Sequence, residues 1–389
     1  MLAFVSCQKE NLSFEITNPA NFKRYDEPVF IDINKLPDDI TAATYACFVG
    51  ENEIASQLID KDGDGTKDAL FLLLDLMPEE TIKLLIKKVD KKSDYKTRAN
   101  VRFGKRKPPY DEINSYQRVK TNDSIKASAL FLMEGPAWEN DRVAFRNYYD
   151  ERNGIDIFGK RVETMVLDSV GIDGTNYHKL SDWGMDILHV GKSLGAGAIA
   201  LQVGDTIYPI RDLQNSQYKL IEDGPLYASL KLIHNNVLIA GRKYNIVQLI
   251  SIYGGEPYYI SDIYISGMKG DEKFVTGIVN THSDQLSKGN IDSQMIFSTY
   301  APQAEDKKNL GLAIMIDKND FDSVIRDSFP TKGIEQTYMI SMNLTKDKPV
   351  NYRFYAAWET GFSSFRNENY YTSFMKREAE KKSAPLLVK

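Results

Sequence analysis

Three chemically useful side chains occupy alternate positions of one strand-forming segment, at Arg146, Tyr148 and Asp150. Residues two apart in a β-strand project from the same face, so these side chains are expected to share one. A guanidinium can bind a carboxylate through two hydrogen bonds, and an aromatic ring can stack on a sugar. The face is therefore predicted to be the floor of a substrate cleft, with Trp138 and Arg152 as further substrate contacts. The alternative is a surface ladder of cross-strand ion pairs, which would leave Trp138 and Tyr148 exposed.

A glycine-rich segment further along the chain contains His178, Trp183, Asp186 and Lys192. Histidine titrates near neutrality, so His178 is the first candidate for a general acid or base, and either Asp150 or Asp186 is expected to orient its ring. Trp183 is predicted to stack on a substrate ring, and Lys192 to bind substrate. The Gly-Lys-Ser sequence at Lys192 does not indicate a nucleotide site, because the first glycine of the phosphate-binding motif is missing.

The remaining candidates are weaker. His282 follows a predicted strand end and is a second-rank substrate contact, whereas His189 lies between two apolar residues and is expected to be packed. Trp358 is predicted to close the far wall of a cleft, although a core tryptophan at a sheet edge fits equally well. The histidines have no spacing typical of a zinc site.

An aspartate-rich loop offers a different chemistry. Asp60, Asp62, Asp64 and Asp68 are separated by glycines and short polar residues. Carboxylates at alternate positions around a tight turn favour Ca²⁺, and the loop resembles those of dockerins and thrombospondin type 3 repeats. It is not an EF-hand, because the twelfth position is Phe71. Either a structural calcium site or an acidic hairpin turn without metal is expected here.

The N-terminal sequence predicts where the protein is located in the cell. Residues 1–7 form a short apolar stretch that ends in Ser6-Cys7, which resembles the end of a truncated lipoprotein signal. Cys7 is therefore the predicted lipidation site of an outer-membrane lipoprotein, located in the periplasm or at the cell surface. Cys47 would then be an unpaired, buried cysteine. No apolar run reaches transmembrane length, so the membrane is expected as a partner only through the lipid.

Composition and charge narrow the functional classes. The 389 residues carry a formal net charge of −5, which argues against a nucleic-acid partner because phosphate binding needs clustered positive charge. The chain contains 22 tyrosines and 18 phenylalanines, a composition that favours sheets and is typical of sugar-binding clefts.

Strand patterns and turn signals dominate the chain. Residues 8–93 predict a small N-terminal β-sandwich, and residues 94–126 are charged and predicted to be a linker or crossover. Residues 127–389 predict one large two-sheet domain of more than ten strands, since turns separate many short β runs. Helical periodicity at 367–382 predicts one C-terminal helix. The predicted fold class is all-β.

Two sequence blocks carry a family resemblance. They are Trp138-Glu-x-Asp-Arg…Arg146-x-Tyr-x-Asp150…Arg152-Asn…Asp156-Ile-Phe-Gly-Lys160 and Tyr177-His178…Asp182-Trp-Gly-Met-Asp186…Gly-Lys192-Ser-Leu-Gly-Ala-Gly197. Both blocks resemble the domain-of-unknown-function family 4861, and the resemblance covers the chain from about Ala127 onward. The resemblance implies a galactose-mutarotase-like β-supersandwich, found among polysaccharide-utilisation genes beside pectin and ulvan lyases. It also implies work on acidic oligosaccharides, as a dehydratase or lyase at uronyl ends, but assigns no catalytic residue.

The resulting hypothesis is an enzyme that eliminates water or a sugar from a uronic-acid-containing oligosaccharide. Arg146 is expected to clamp the carboxylate, His178 to act as base or acid, and Tyr148 to be its partner. No organic cofactor is expected. The alternatives are an aldose-1-epimerase-like enzyme and a non-catalytic glycan-binding lipoprotein, since one fold hosts several activities.

Overall fold

The computed structural model describes residues 12–118, 130–211, 215–326, 328–346 and 348–389. Over these residues the chain consists mainly of strands in five sheets, with one α-helix near the C terminus. The predicted all-β class and the predicted C-terminal helix are therefore confirmed. Cys7 and the signal predicted at residues 1–7 lie outside the described residues.

The chain divides into two compact units, one of residues up to 96 with residues 384–389, the other of residues 97–383. The strands of the first unit are β1 (Leu12–Thr17), β2 (Arg24–Asp32), β3 (Tyr45–Val49), β4 (Asn52–Ile54), β5 (Ser56–Ile59), β6 (Ala69–Leu76), β7 (Thr81–Lys88) and, at the end of the chain, β27 (Leu387–Val388).

The first unit has two sheets around one core. Strands β27, β1, β7, β3 and β4 form one sheet in that order, and β2, β6 and β5 form the other. Phe14 and Ile16 of β1 are buried in the same apolar cluster as Val29 and Ile31 of β2. The apolar residues alternate with polar ones in these strands, so one face of each sheet is buried.

The second unit contains most of the strands and the helix. Its strands are β8 (Ala99–Arg102), β9 (Ser115–Gln117), β10 (Ala137–Asn140), β11 (Val143–Asn147), β12 (Ile155–Lys160), β13 (Gly184–Asp186), β14 (Ala200–Val203), β15 (Thr206–Pro209), β16 (Ser216–Asp223), β17 (Tyr227–Ile239), β18 (Arg242–Tyr253), β19 (Tyr258–Ser266), β20 (Glu272–Val279), β21 (Ser287–Ile291), β22 (Gln294–Ala301), β23 (Leu310–Asp317), β24 (Phe321–Val324), β25 (Thr337–Asn343) and β26 (Val350–Trp358). The helix α1 is Glu368–Ser383. It is too short and too polar to cross a membrane, and no other described helix could do so.

Three sheets build the second unit. Their strand orders are β13-β12-β11-β10-β8, β15-β14-β20-β25-β24 and β21-β22-β23-β26-β19-β18-β17-β16-β9. One apolar cluster joins all three, with Phe145 from the first sheet, Val275 from the second and Leu312 from the third. The first of these sheets positions the candidate site.

The unit boundaries differ from the predicted domains. Residues 94–126 are not a linker throughout, because β8 pairs with β10 and β9 pairs with β16 inside the second unit. Val101 of β8 is 2% exposed, so this strand is part of the core. Residues 384–389 belong to the first unit, where Val388 pairs with Ile16.

Candidate functional site

Arg146 and two aspartates form a buried ion cluster on three adjacent strands. Arg146 on β11 lies directly opposite Asp156 on β12, and Asp186 is the last residue of the next strand, β13. Arg146 Nη2 lies 2.7 Å from a carboxylate oxygen of Asp156 and 2.7 Å from one of Asp186. Burial alone would lower the pKa of Arg146, but the Asp186 and Asp156 carboxylates outweigh it and raise that pKa well above its usual value. Burial, together with Asp186, raises the pKa of Asp156 to about 6.

The guanidinium of Arg146 is fully engaged inside the protein. Its nitrogens donate to the carboxylates of Asp156 and Asp186, the hydroxyls of Tyr148 and Tyr177, and the carbonyl of Met133. The side chain is 1% exposed, so a substrate carboxylate could not reach it. The expectation that Arg146 clamps the substrate is therefore corrected: Arg146 holds Asp186 and Tyr148 in position.

Tyr148 has a buried hydroxyl and a ring that faces a second arginine. The hydroxyl donates to Asp156 and accepts a hydrogen bond from Arg146 Nη2 at 2.8 Å. Burial, followed by the Asp156 carboxylate, raises the pKa of Tyr148 well above its usual value. The predicted role of Tyr148 as acid or base is corrected, because its proton is bound within the cluster. Its ring lies 3.6 Å from the Arg152 guanidinium, which it supports by a cation–π contact.

Arg152 is the arginine that reaches the surface of the site. Its Nε and Nη2 bind Asp150, which is fully buried, and Nη2 also lies 3.2 Å from Glu134. Nη1 donates to none of the residues that the structure describes. Asp150 was predicted to contact substrate, but it instead fixes the direction of the Arg152 guanidinium. Arg152 therefore presents a positioned cation with a donor to spare.

His178 lies on the other side of Asp186. Its Nδ1 is 3.3 Å from Asp186 Oδ2, and 63% of its side chain is exposed. The loop that contains Tyr177 and His178 is hydrogen-bonded to β13, because the backbone N–H of Asp186 donates to the Tyr177 carbonyl at 2.8 Å. The hydrogen bond with Asp186 raises the pKa of His178 above its usual value. Nδ1 donates to the carboxylate, so Nε2 is left to exchange a proton with a ligand.

These groups line one cavity of about 460 Å³, a size typical of small-molecule sites. The lining residues are Tyr148, Arg152, His178, Asp186, Leu188, His189, Val190, Gly191 and Glu305. Four of the predicted site residues therefore meet here, although they come from two separate sequence blocks.

Two titratable lining residues, His189 and Glu305, were missed by the sequence analysis. His189, predicted to be packed, has 61% of its side chain exposed, and its Nδ1 lies 3.6 Å from Glu305 Oε1. Leu188 and Val190 are buried on either side of it, so alternation in an extended segment turns His189 outward. That alternation was a usable signal for His189. Glu305 had none, because it is far away in the sequence.

Two of the tryptophans predicted to line the substrate cleft, Trp138 and Trp358, are core residues. Trp138 is 1% exposed and packs with Phe145 and Tyr259. Trp358 is 3% exposed, and its indole N–H donates to Asp306 at 3.2 Å. The predicted substrate contact is corrected for both residues, since neither ring has a face open to a sugar, and for Trp358 the alternative of a core tryptophan holds.

Three further candidates lie outside the cavity lining. Trp183 is half-buried with its ring edge against Phe158. Lys192 directly follows a residue of the cavity wall, but its ammonium is 2.9 Å from Glu335. His282 is exposed on the turn after β20. Substrate binding by these three residues stays a prediction.

The aspartate loop in the first unit brings three carboxylates together. Oxygen atoms of Asp60, Asp62 and Asp68 lie within 4.8 Å of one another. Asp64 is not part of this group, and its backbone N–H donates to Asp60 and Asp62 at 3.0 Å. Clustered carboxylate oxygens fit a hard cation such as Ca²⁺.

Comparison with protein families gives one match, to the family described as "Domain of unknown function (DUF4861)", over residues 16–388. No curated protein matches the chain. Among solved structures, an α-mannosidase from Enterococcus faecalis V583 is 9% identical, with a TM-score of 0.50, and covers 98% of this chain and 46% of its own. A glycosyl hydrolase family 38 protein from Enterococcus faecalis gives the same identity and TM-score, with 47% of its own chain covered. This chain spans less than half the length of either protein, and the likeness concerns the fold.

Proposed function

We propose that this chain, which belongs to the DUF4861 family, is a carbohydrate-active enzyme that eliminates water or a sugar from uronic-acid-containing oligosaccharides. One observation carries the proposal: Arg152 and His178 line the same cavity, and each is held by a buried carboxylate. The fold shared with an α-mannosidase supports a sugar as the substrate class, although fold alone does not select a reaction.

A uronic acid offers a carboxylate beside an acidic C–H bond. When that proton leaves, negative charge spreads onto the carboxylate, so a fixed cation lowers the barrier. Arg152 suits this role because Asp150 and the Tyr148 ring fix its orientation while Nη1 stays available. A neutral sugar would offer no carboxylate to the Nη1 donor of Arg152, which none of the described residues accepts from.

His178 supplies the base. Its neutral imidazole takes the proton through Nε2, while Asp186 stabilises the imidazolium that forms. The electron pair of the broken C–H bond forms a carbon–carbon double bond, and the adjacent C–O bond breaks. The departing oxygen keeps the electron pair of that bond and needs one proton to leave as water or as a sugar hydroxyl.

The test is incubation with a matched set of oligosaccharides. The oligosaccharides differ only in their terminal residue, which is a saturated uronyl, an unsaturated uronyl or a carboxyl-reduced residue. We expect the enol-ether absorbance and the product mass to change only for the saturated uronyl substrate, because the carboxyl-reduced residue lacks the carboxylate and the unsaturated residue has no hydrogen on the carbon beside it. Anomer interconversion without a change in mass would favour the epimerase instead, and binding without turnover would favour a glycan-binding protein. Either outcome would overturn the proposal.

A further inference from the structure

A second histidine–carboxylate pair stands on the same cavity as His178 and Asp186. His189 and Glu305 both line the cavity, with 61% and 40% of their side chains exposed. Their closest nitrogen and oxygen atoms are 3.6 Å apart. Neither residue belongs to the buried cluster around Arg146, so the two imidazoles have separate carboxylate partners.

Both members of this pair are held on well-packed backbone. Leu188 and Val190 anchor the chain on either side of His189, each 5% exposed. The backbone N–H of Glu305 donates to the Ile187 carbonyl at 3.0 Å, which ties the two segments together. Asp306, the next residue, accepts hydrogen bonds from the Trp358 indole at 3.2 Å and the Thr360 hydroxyl at 2.8 Å. The pair is therefore positioned by the fold on both sides.

The other lining groups are poor proton donors to a substrate. The Tyr148 hydroxyl is bound to Asp156 within the buried cluster, and Arg152 keeps its protons at any pH that proteins tolerate. Leu188, Val190 and Gly191 have no side-chain proton to give. An acid is nevertheless required, because the oxygen leaving a saturated uronic acid must be protonated.

We propose that His189, oriented by Glu305, is the general acid that protonates the departing oxygen, while His178 removes the carbon-bound proton. This inference rests on the proposed function and assigns its second proton-transfer step. In each turnover one proton passes from carbon to His178 and one from His189 to oxygen. The C–H and C–O bonds break, the C=C and O–H bonds form, and solvent restores both imidazoles.

The experiment separates the two steps with deuterium and with the leaving group. His189→Gln and His178→Gln variants would be incubated in D₂O with a saturated uronide that carries a sugar at C4. The same uronide with a 4-nitrophenyl leaving group would be run in parallel, because a phenolate departs without an acid. Glu163→Gln, at an exposed ion pair with Arg142, is the matched control and should behave as wild type.

For His189→Gln we expect elimination of the sugar to fall at least about a hundredfold, while elimination of the nitrophenol stays within about tenfold of wild type. Substrate recovered from this variant should still gain deuterium at the carbon next to the carboxylate. His178→Gln should lose both deuterium exchange and elimination.

An equal loss on both leaving groups, or loss of exchange in His189→Gln, would overturn the assignment of His189 while leaving the proposed reaction intact. Absence of exchange and of elimination in the wild-type protein would overturn the proposed function and this inference together. Because His189 is exposed, its replacement should not unfold the protein, and a loss of activity should therefore not reflect misfolding. Circular dichroism of each variant checks that the fold is retained.

Discussion

The site residues depend on side chains that never meet the substrate. Asp186 accepts hydrogen bonds from Arg146 and from His178, so one buried carboxylate links the ion cluster to the cavity. Removing one partner of a buried ion pair costs about 3–5 kcal/mol, because it leaves an uncompensated charge. The loss of activity expected for an Arg146→Ala variant would therefore reflect unfolding and not the loss of a substrate contact.

Asp186 sets the pH at which His178 becomes a base. The hydrogen bond with Asp186 stabilises the imidazolium and raises the pKa of His178, so the neutral base forms only above that raised pKa. Without the carboxylate the pKa falls, and the base forms at lower pH. We therefore expect the acidic limb of the kcat/KM profile to move to lower pH in an Asp186→Asn variant. Asp168→Asn, at an exposed ion pair with Arg102, is the control. An unmoved acidic limb in a folded Asp186→Asn protein would contradict the link.

At the residue scale, sequence alternation identified the strand that contributes to the site but wrongly predicted that the Arg146 face of this strand is exposed. Arg146 and Tyr148 do share an environment, as their spacing predicts, yet that face is covered by Tyr177 and by the backbone at Met133. Strand periodicity shows that residues share a face but not what covers it. Both covering groups lie outside β11, so the burial of Arg146 could not be predicted from the sequence of that strand alone.

At the scale of elements, close packing fixes β12 against β26. A Cβ atom added to Gly159 of β12 would lie 2.4 Å from Trp358 Cε3 and 2.9 Å from Ile187 Cγ2. Overpacking of this kind costs about 1–3 kcal/mol. We expect a Gly159→Ala variant to show a lower free energy of unfolding by this amount, measured with urea.

Gly289 of β21 is the matched control for this substitution. A Cβ atom there would meet its nearest neighbour, in Ile296, at an ordinary 3.7 Å. Gly289→Ala should therefore unfold at nearly the wild-type urea concentration. Equal urea midpoints of unfolding for the two variants would contradict close packing between Gly159 of β12 and Trp358.

The aspartate loop between β5 and β6 predicts a metal effect on stability. A cation bound only to the folded state raises the melting temperature, so Ca²⁺ should stabilise the protein relative to EDTA. An Asp60→Asn variant should lose this difference, because Asp60 is one of the three carboxylates that meet. Asp38→Asn, at an exposed aspartate of the same unit, should retain it. Identical wild-type melting curves in Ca²⁺ and in EDTA would contradict the site.

Short strands limited the prediction of elements. The four residues of β8 lie just before a segment of lysine, arginine and proline. Because that segment is charged, the sequence around β8 did not indicate a core strand. The pairing partner of β8 is β10, more than thirty residues later, and such long-range pairing leaves no local pattern. The long strands and the C-terminal helix had clear periodicity and were predictable.

For the whole molecule, family and fold leave the reaction open. The DUF4861 match extends over residues 16–388 and therefore includes parts of both units. The likeness to an α-mannosidase covers 98% of the chain at 9% identity, which relates the architectures and not the active sites. The proposal of an acidic sugar substrate is supported instead by Arg152 and His178, which line one cavity.

The most direct test of that assignment is the turnover of a His178→Ala variant on the uronyl oligosaccharide that the wild-type protein consumes. Since a positioned general base contributes about 10²–10⁴-fold, we expect turnover to fall at least about a hundredfold with an unchanged circular dichroism spectrum. Lys348→Ala, at an exposed ion pair with Asp320, should retain wild-type turnover. Turnover by His178→Ala close to the wild-type rate would contradict the account.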